Sequence, residues 1–246
     1  MLARKGTVLI VGAGSPIARA LGVEFAREGF DLCLAGRDVG EMRTLCADFQ
    51  IRFGVRATPA PFDALLPDPG EQLAPCWSDE TVGVVVAFGL MHDQRTAEAN
   101  PHLALEMLHV NFTAAALVCE TATRELLARG GRWLCVLGSV AGDRGRQSNY
   151  LYGGAKGGLA IYAQGLQHRL ASSGLKVIFV KPGFLDTGMT WGKPGLFGVA
   201  SPEKAARFIR RAIAQGVAVS YVPSFWYWLM MLIRAVPRLL FERTKL

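Results

Sequence analysis

Apolar positions along this chain fall into two alternating kinds of run. The short kind is continuous: Thr7–Gly12 (TVLIVG), Asp31–Gly36 (DLCLAG), Val82–Gly89 (VGVVVAFG), Arg132–Ser139 (RWLCVLGS) and Lys176–Gly183 (KVIFVKPG). These runs are bounded by turn residues and predict buried strands. The long kind predicts helices over Ile17–Gly29, Asp38–Phe53, Pro101–Arg129 and Leu151–Ser173. A further strand is expected before Pro61–Ala64 (PFDA). Strands that do not alternate must be covered on both faces. The pattern therefore predicts an α/β chain, a doubly wound parallel sheet flanked by helices on both faces. Such sheets bind ligands beyond the carboxyl ends of their strands, where each run here closes on Gly, Gly-Ser or Pro-Gly.

Composition adds bounds rather than detail. A chain of 246 residues with 51% hydrophobic and 19% charged residues has enough apolar surface for one domain and little tendency to disorder. We expect residues 1–222 to form that single domain and residues 223–246 an apolar and basic extension of it. A net charge of +7 favours anionic partners. Its basic residues are scattered, so no nucleic-acid partner is expected. Five cysteines (Cys33, Cys46, Cys76, Cys119, Cys135) include no C-x-x-C pair, which suggests buried thiols in a reducing compartment. No metal site is expected. The opening MLARKGTVLIVGAG lacks the shape of a signal peptide, and no stretch reads as about 20 consecutive apolar residues. The expected location is the cytoplasm.

VGAGSPIARA follows the first strand and opens the first helix. Gly12 and Gly14 permit a tight turn and close approach of a pyrophosphate, which a helix N-terminus favours. Ser15, Pro16 and Ile17 form that N-terminus, and Pro16 suits a first helical turn. Together these features make the expected fold one of Rossmann type. The second strand ends LAGRD, so Arg37 stands where an acidic residue would bind a ribose 2′-hydroxyl. A guanidinium there suits a 2′-phosphate and favours NADP(H) over NAD(H); a solvated loop arginine is the plain alternative. Asp63 reads either as an acceptor for the adenine amine or as a turn residue.

The strongest chemical signal is GSVAGDRGRQSNYLYGGAK. Tyr152 and Lys156 are one helical turn apart, on one face. An ammonium beside a phenol favours the phenolate, so the pair can exchange a proton as carbonyl and alcohol interconvert. Ser139, at a strand's carboxyl end, is placed to hydrogen-bond the reacting oxygen.

VGAGSPIA, VAFG, VNFTAA, Ser139, YGGAK and KPGFLDTGM occur in an order and spacing that resembles the short-chain dehydrogenase/reductase family over nearly the whole chain. The resemblance implies Tyr152 as acid/base, Lys156 as its partner and a ribose contact, Ser139 as carbonyl-orienting group, and Asn111 in a water relay. It implies further cofactor contacts at Ala87, Phe88 and Gly89, and at Pro182, Gly183 and Thr187. VAFG replaces the family's usual NNAG, and Pro16 and Ala18 replace its usual later glycines. A narrower resemblance, carried by VAFGLMHD, NFTAAALV, SVAGDRGRQSNYLYGGAK and FWYWLMMLIRAVPRLLF, is to reductases of a 2-keto sugar borne on a polyprenyl phosphate. That implies a lipid-linked keto-sugar as a candidate substrate. Family members commonly associate, which implies a homodimer or homotetramer.

Arg144 and Arg146 lie between Ser139 and Tyr152, where they would bind a phosphodiester or remain solvated loop residues. Trp191 and Phe197, in GMTWGKPGLFG, would cover a ligand or form a static flap. From Phe225 to Ile233 the chain is uncharged, followed by Arg234, Arg238, Arg243 and Lys245. Nine residues make a helix of about 14 Å at about 1.5 Å per residue, too short for a hydrocarbon core of about 30 Å. The segment reads as a helix at headgroup level on the inner face of the cell membrane, as an oligomer seam, or as both. Three functions are open: a reductase of such an amphiphile, a soluble reductase of small ketones or acyl-thioesters, and a nucleotide-sensing module with little turnover.

Overall fold

The computed structural model describes residues 5–188, 191 and 197–244. In chain order its first half contains β1 (Thr7–Val11), α1 (Pro16–Arg27), β2 (Asp31–Gly36), α2 (Val39–Phe53), β3 (Ala57–Pro61), α3 (Pro69–Leu73) and β4 (Thr81–Val86). Next come α4 (Gln94–Ala99), α5 (Pro101–Leu108), α6 (Ala115–Ala128), β5 (Trp133–Leu137) and α7 (Tyr150–Arg169). The last elements are β6 (Lys176–Pro182), α8 (Pro202–Gln215), β7 (Val219–Val222), α9 (Phe225–Ala235) and α10 (Arg238–Phe241). Among the described residues the strands form one seven-stranded sheet in the order β3-β2-β1-β4-β5-β6-β7, every neighbouring pair parallel. The order reverses between β1 and β4, and a crevice opens at their carboxyl ends.

The continuous apolar strands are buried because both faces are covered. Along β1, Val8 and Ile10 join a core with α1, α2 and α8, while Leu9 and Val11 join the opposite core with α6 and α7. All five cysteines are buried free thiols. A π-helical stretch, His109–Ala114, joins α5 to α6, so Pro101–Ala128 is one helix of 28 residues. Contrary to the sequence reading, it is long and apolar enough to cross a membrane. Here it lies on the sheet, with Val110, Ala114, Val118 and Ala122 in the core.

A third, smaller cluster lies at the crevice. Trp226 and Met230 of α9 pack on Val140, joined by Phe184, Tyr221, Leu229 and Ile233. Positions 226, 229, 230 and 233 make one helical stripe, so α9 presents an inner face to the domain. Its outer face is also apolar: Phe225, Trp228, Met231 and Leu232 are exposed, as are Leu239 and Leu240. At 11 residues α9 spans about 16 Å at about 1.5 Å per residue, still far short of a bilayer core.

Candidate active site

The turn after β1 has the shape a pyrophosphate needs. Gly12 has φ +86°, and a Cβ there would stand 2.7 Å from the Phe88 backbone nitrogen. Ser15 caps α1: its Oγ accepts the Ala18 N–H at 3.3 Å and donates to the Ala87 carbonyl at 3.3 Å. Pro16 and Ile17 follow, and the first turn of α1 carries no acidic residue to offset the helix dipole. A cavity of about 340 Å³ opens here, lined by Gly12, Gly14, Ser15, Arg37, Asp63, Phe88 and Gly89. Arg37 is exposed at its rim. Asp63 lines the cavity, and its carboxylate accepts the Leu65 N–H at 3.0 Å, the turn role of its two expected parts. The sequence reading missed Glu41, which lines the same cavity beside Gly14 and pairs with Arg19. Its signal was the D-x-x-E spacing from Asp38, which caps α2 through the Glu41 N–H.

The reacting groups come from three elements. Ser139 follows β5 and caps the short turn Val140–Asp143, its Oγ accepting the Ala141 N–H at 3.1 Å. Tyr152 and Lys156 share the first turns of α7, with Lys156 Nζ 5.9 Å from the Tyr152 ring centroid. That ammonium also donates to the Leu137 carbonyl at 3.2 Å. Backbone contact holds the Ser139 turn against α7. A Cβ at Gly142 would stand 2.7 Å from Gly157 N, and one at Gly153 2.9 Å from the Ala141 carbonyl. Asn111 is fully buried in the π-helical stretch. Its Nδ2 donates to the Met107 carbonyl at 2.8 Å and to Leu90 O, and its Oδ1 accepts the Leu90 N–H. Gly89 lies between it and the lysine: a Cβ there would be 2.9 Å from Asn111 Oδ1 and 3.5 Å from Lys156 Nζ.

Electrostatics here differ from the simplest expectation of a lysine pulling the tyrosine down. Burial pushes the Tyr152 phenol above its ordinary value, opposed by a hydrogen bond from Ser139. Burial also pushes the Lys156 ammonium down to about 8. Desolvation penalises both charged forms, so the tyrosine retains its proton at neutral pH.

Ser139, Tyr152 and Lys156 line a cavity of about 860 Å³ with Ala87, Pro182, Gly183 and Thr187. Ser15, Phe88 and Gly89 border both cavities, which makes one trough from Arg37 to Tyr152 across the sheet's switch point. These residues fit a dinucleotide: the glycine cradle lies midway, and the proton-bearing tyrosine is at one end.

The two loop arginines part ways. Arg144 is not in the substrate cavity. Its guanidinium donates to the carbonyls of Ile233, Arg234 and Val236 at 2.7–2.9 Å and stacks 3.9 Å from the Phe241 ring centroid. The reason is the unpaired carbonyls that end α9, which a cation caps. Its reading as a phosphodiester ligand is therefore corrected to that of a helix cap. Arg146 does line the cavity, and its Nε is buried without a hydrogen-bond partner. Trp191 and Phe197 are not among the lining residues. Trp191 is 87% exposed, and Phe197 packs on Phe184 and Trp226 with centroids 6.1 and 5.5 Å apart. The rest of that loop, residues 189–190 and 192–196, lies outside the described residues, as does Lys245. Sequence reasoning also missed Asp143, which is held by Lys181 and by Tyr221 Oη at 2.7 Å. The signal was a lysine inside a buried strand, which must find a carboxylate.

A family model described as short chain dehydrogenase matches residues 6–194. An uncharacterised oxidoreductase from Streptomyces coelicolor is 32% identical over 96% of this chain and 95% of its own length. Among solved structures, a short-chain dehydrogenase from Sphingobium yanoikuyae in complex with NADPH superposes with a TM-score of 0.81 at 22% identity, covering 95% of this chain and 97% of that one. A short-chain dehydrogenase from Burkholderia cenocepacia in complex with NADP gives 0.81 at 19% identity, over 99% and 98%.

Proposed function

The chain belongs to the short-chain dehydrogenase family, and from that premise we propose that this oxidoreductase reduces a ketone to a secondary alcohol at the expense of NADPH. The observation that carries the reading is the convergence of Ser139, Tyr152 and Lys156 on one cavity continuous with the glycine turn. The dinucleotide, when bound, supplies the hydride delivered to the keto carbon. Ser139 and Tyr152 hold the keto oxygen, and the Tyr152 hydroxyl gives it a proton as negative charge develops there. Burial of Tyr152 favours this direction, because the phenol arrives protonated. Lys156 keeps an ammonium beside the phenol and stabilises the phenolate left behind. Asn111, locked to Leu90 and Met107, stiffens the wall behind Gly89 and is suited to hold a water that returns the proton. Arg37, which makes no ion pair among the described residues, is the group for a 2′-phosphate, and solved relatives holding NADP(H) support that choice.

We further infer that the substrate is amphiphilic, a keto-sugar on a polyprenyl phosphate being the type that fits. The wide cavity and the doubly apolar α9 beside it support this reading. With Trp228, Leu232, Leu239 and Leu240 outward and Arg234, Arg238 and Arg243 among them, the extension suits the surface of an anionic membrane. A second copy of the chain docking there is the competing occupant. The decisive experiment is oxidation of NADPH and of NADH by the full chain against a panel of ketones, repeated with Tyr152→Phe. We expect turnover with NADPH and a loss of about a hundredfold or more in kcat in the variant. Unchanged turnover by the variant would refute the assignment.

A further inference from the structure

Arg146 separates from every other cation near the reacting groups by what it lacks. Lys156 donates to Leu137 O, Lys181 is paired with Asp143, and Arg144 caps α9. Arg146 lines the same cavity as Ser139 and Tyr152, yet its side chain makes no hydrogen bond or ion pair among the described residues, and its Nε is buried. The charged groups around that cavity do not satisfy it. Asp93 is engaged by the Thr96 N–H and hydroxyl, and His92 by Glu106 at 2.9 Å. A half-buried guanidinium with an unpaired donor is costly unless a ligand completes it. Desolvation of the arginine, which lowers its pKa, points the same way. Its planar fork matches the oxygens of a phosphate ester.

We propose that Arg146 is the specificity residue for a phosphate ester carried by the keto substrate. The assignment rests on the reductase reading above and narrows its substrate class to phosphorylated ketones. The phosphate ester has two sources, a soluble sugar phosphate or the headgroup of a phosphorylated lipid.

The test compares the full-length protein with Arg146→Met and Arg146→Lys on three ketones: a free ketose, the same ketose as a phosphate ester, and a short polyprenyl-phosphate ketose in detergent. In Arg146→Met we expect kcat/KM for the phosphorylated ketones to fall about tenfold to a hundredfold, mostly through KM, with the free ketose little changed. Arg146→Lys should recover part of the loss. Because the guanidinium is unpaired in the free protein, Arg146→Met should unfold at the same temperature or higher. Preference between the two phosphorylated ketones identifies the source. Equal losses on free and phosphorylated ketose, or none on either, would overturn the proposal. Calorimetric titration of the ketose phosphate keeps the two readings apart. Binding that disappears in Arg146→Met without turnover of any ketone supports the phosphate site and refutes the reductase reading. Turnover indifferent to Arg146 does the reverse.

Discussion

Replacing Lys156 by Met should abolish activity while making the free protein more stable at neutral pH. The ammonium is 3% exposed, and burial moves its pKa from an ordinary 10.5 to about 8. At about 1.36 kcal/mol per unit, keeping it charged in the fold costs about 3 kcal/mol below pH 8. The hydrogen bond to the Leu137 carbonyl returns about 1.5–3 kcal/mol, so the net gain on substitution is at most about 2 kcal/mol. The pH dependence is the sharper signature. Folded Lys156 holds its proton less tightly than the unfolded chain, so unfolding takes up a proton between about pH 8 and 10.5. The wild type therefore recovers stability as pH rises through that window, and the Lys156→Met variant has nothing to recover. The advantage of the variant should be constant below pH 8 and shrink by up to about 1.4 kcal/mol per pH unit above it. The buried groups that do not feel the lysine titrate alike in both proteins and cancel in the difference; Cys119 and Tyr152, which lose its charge in the variant, ionise less readily there. Urea unfolding of both cofactor-free proteins at one protein concentration, followed by tryptophan fluorescence from pH 7 to 10, measures the gap. A gap that does not change with pH would refute the argument.

Two further outcomes concern the extension. Arg144→Met strips the cap from α9, and we expect a loss of about 2 kcal/mol with faster proteolysis within residues 225–244; unchanged cleavage would deny the capping role. Trp228→Glu combined with Leu232→Glu should cut binding to anionic vesicles by about a hundredfold or more at unchanged helix content, as read by vesicle flotation and circular dichroism. If the double variant instead turns a dimer into a monomer with vesicle binding unaffected, the outer face of α9 is a subunit seam.

Local pattern reached the features that depend on near neighbours in sequence. Continuous apolar strands between helices implied a sheet covered on both faces, because a strand buried twice has no polar side to show. Gly12 and Ser15 could be read at the end of β1, since turn geometry and helix capping act over a few residues. Tyr152 and Lys156 could be read from helical spacing once Ser139 at a strand end and the glycine turn upstream were taken with them. The partners of charged side chains could not, because they come from elements distant in sequence. Lys181 meets Asp143 and Tyr221 only after β6, β7 and the Ser139 turn are side by side. Arg144 and Arg146 are indistinguishable in the sequence, two basic residues flanking one glycine. The docking of α9 gave one of them three carbonyls to cap and left the other facing the cavity. The closing segment shows the same division. Its apolar run announced a helix too short to span a bilayer, but only packing against Val140 and Tyr221 decided which face is spent on the domain and which is left for a partner.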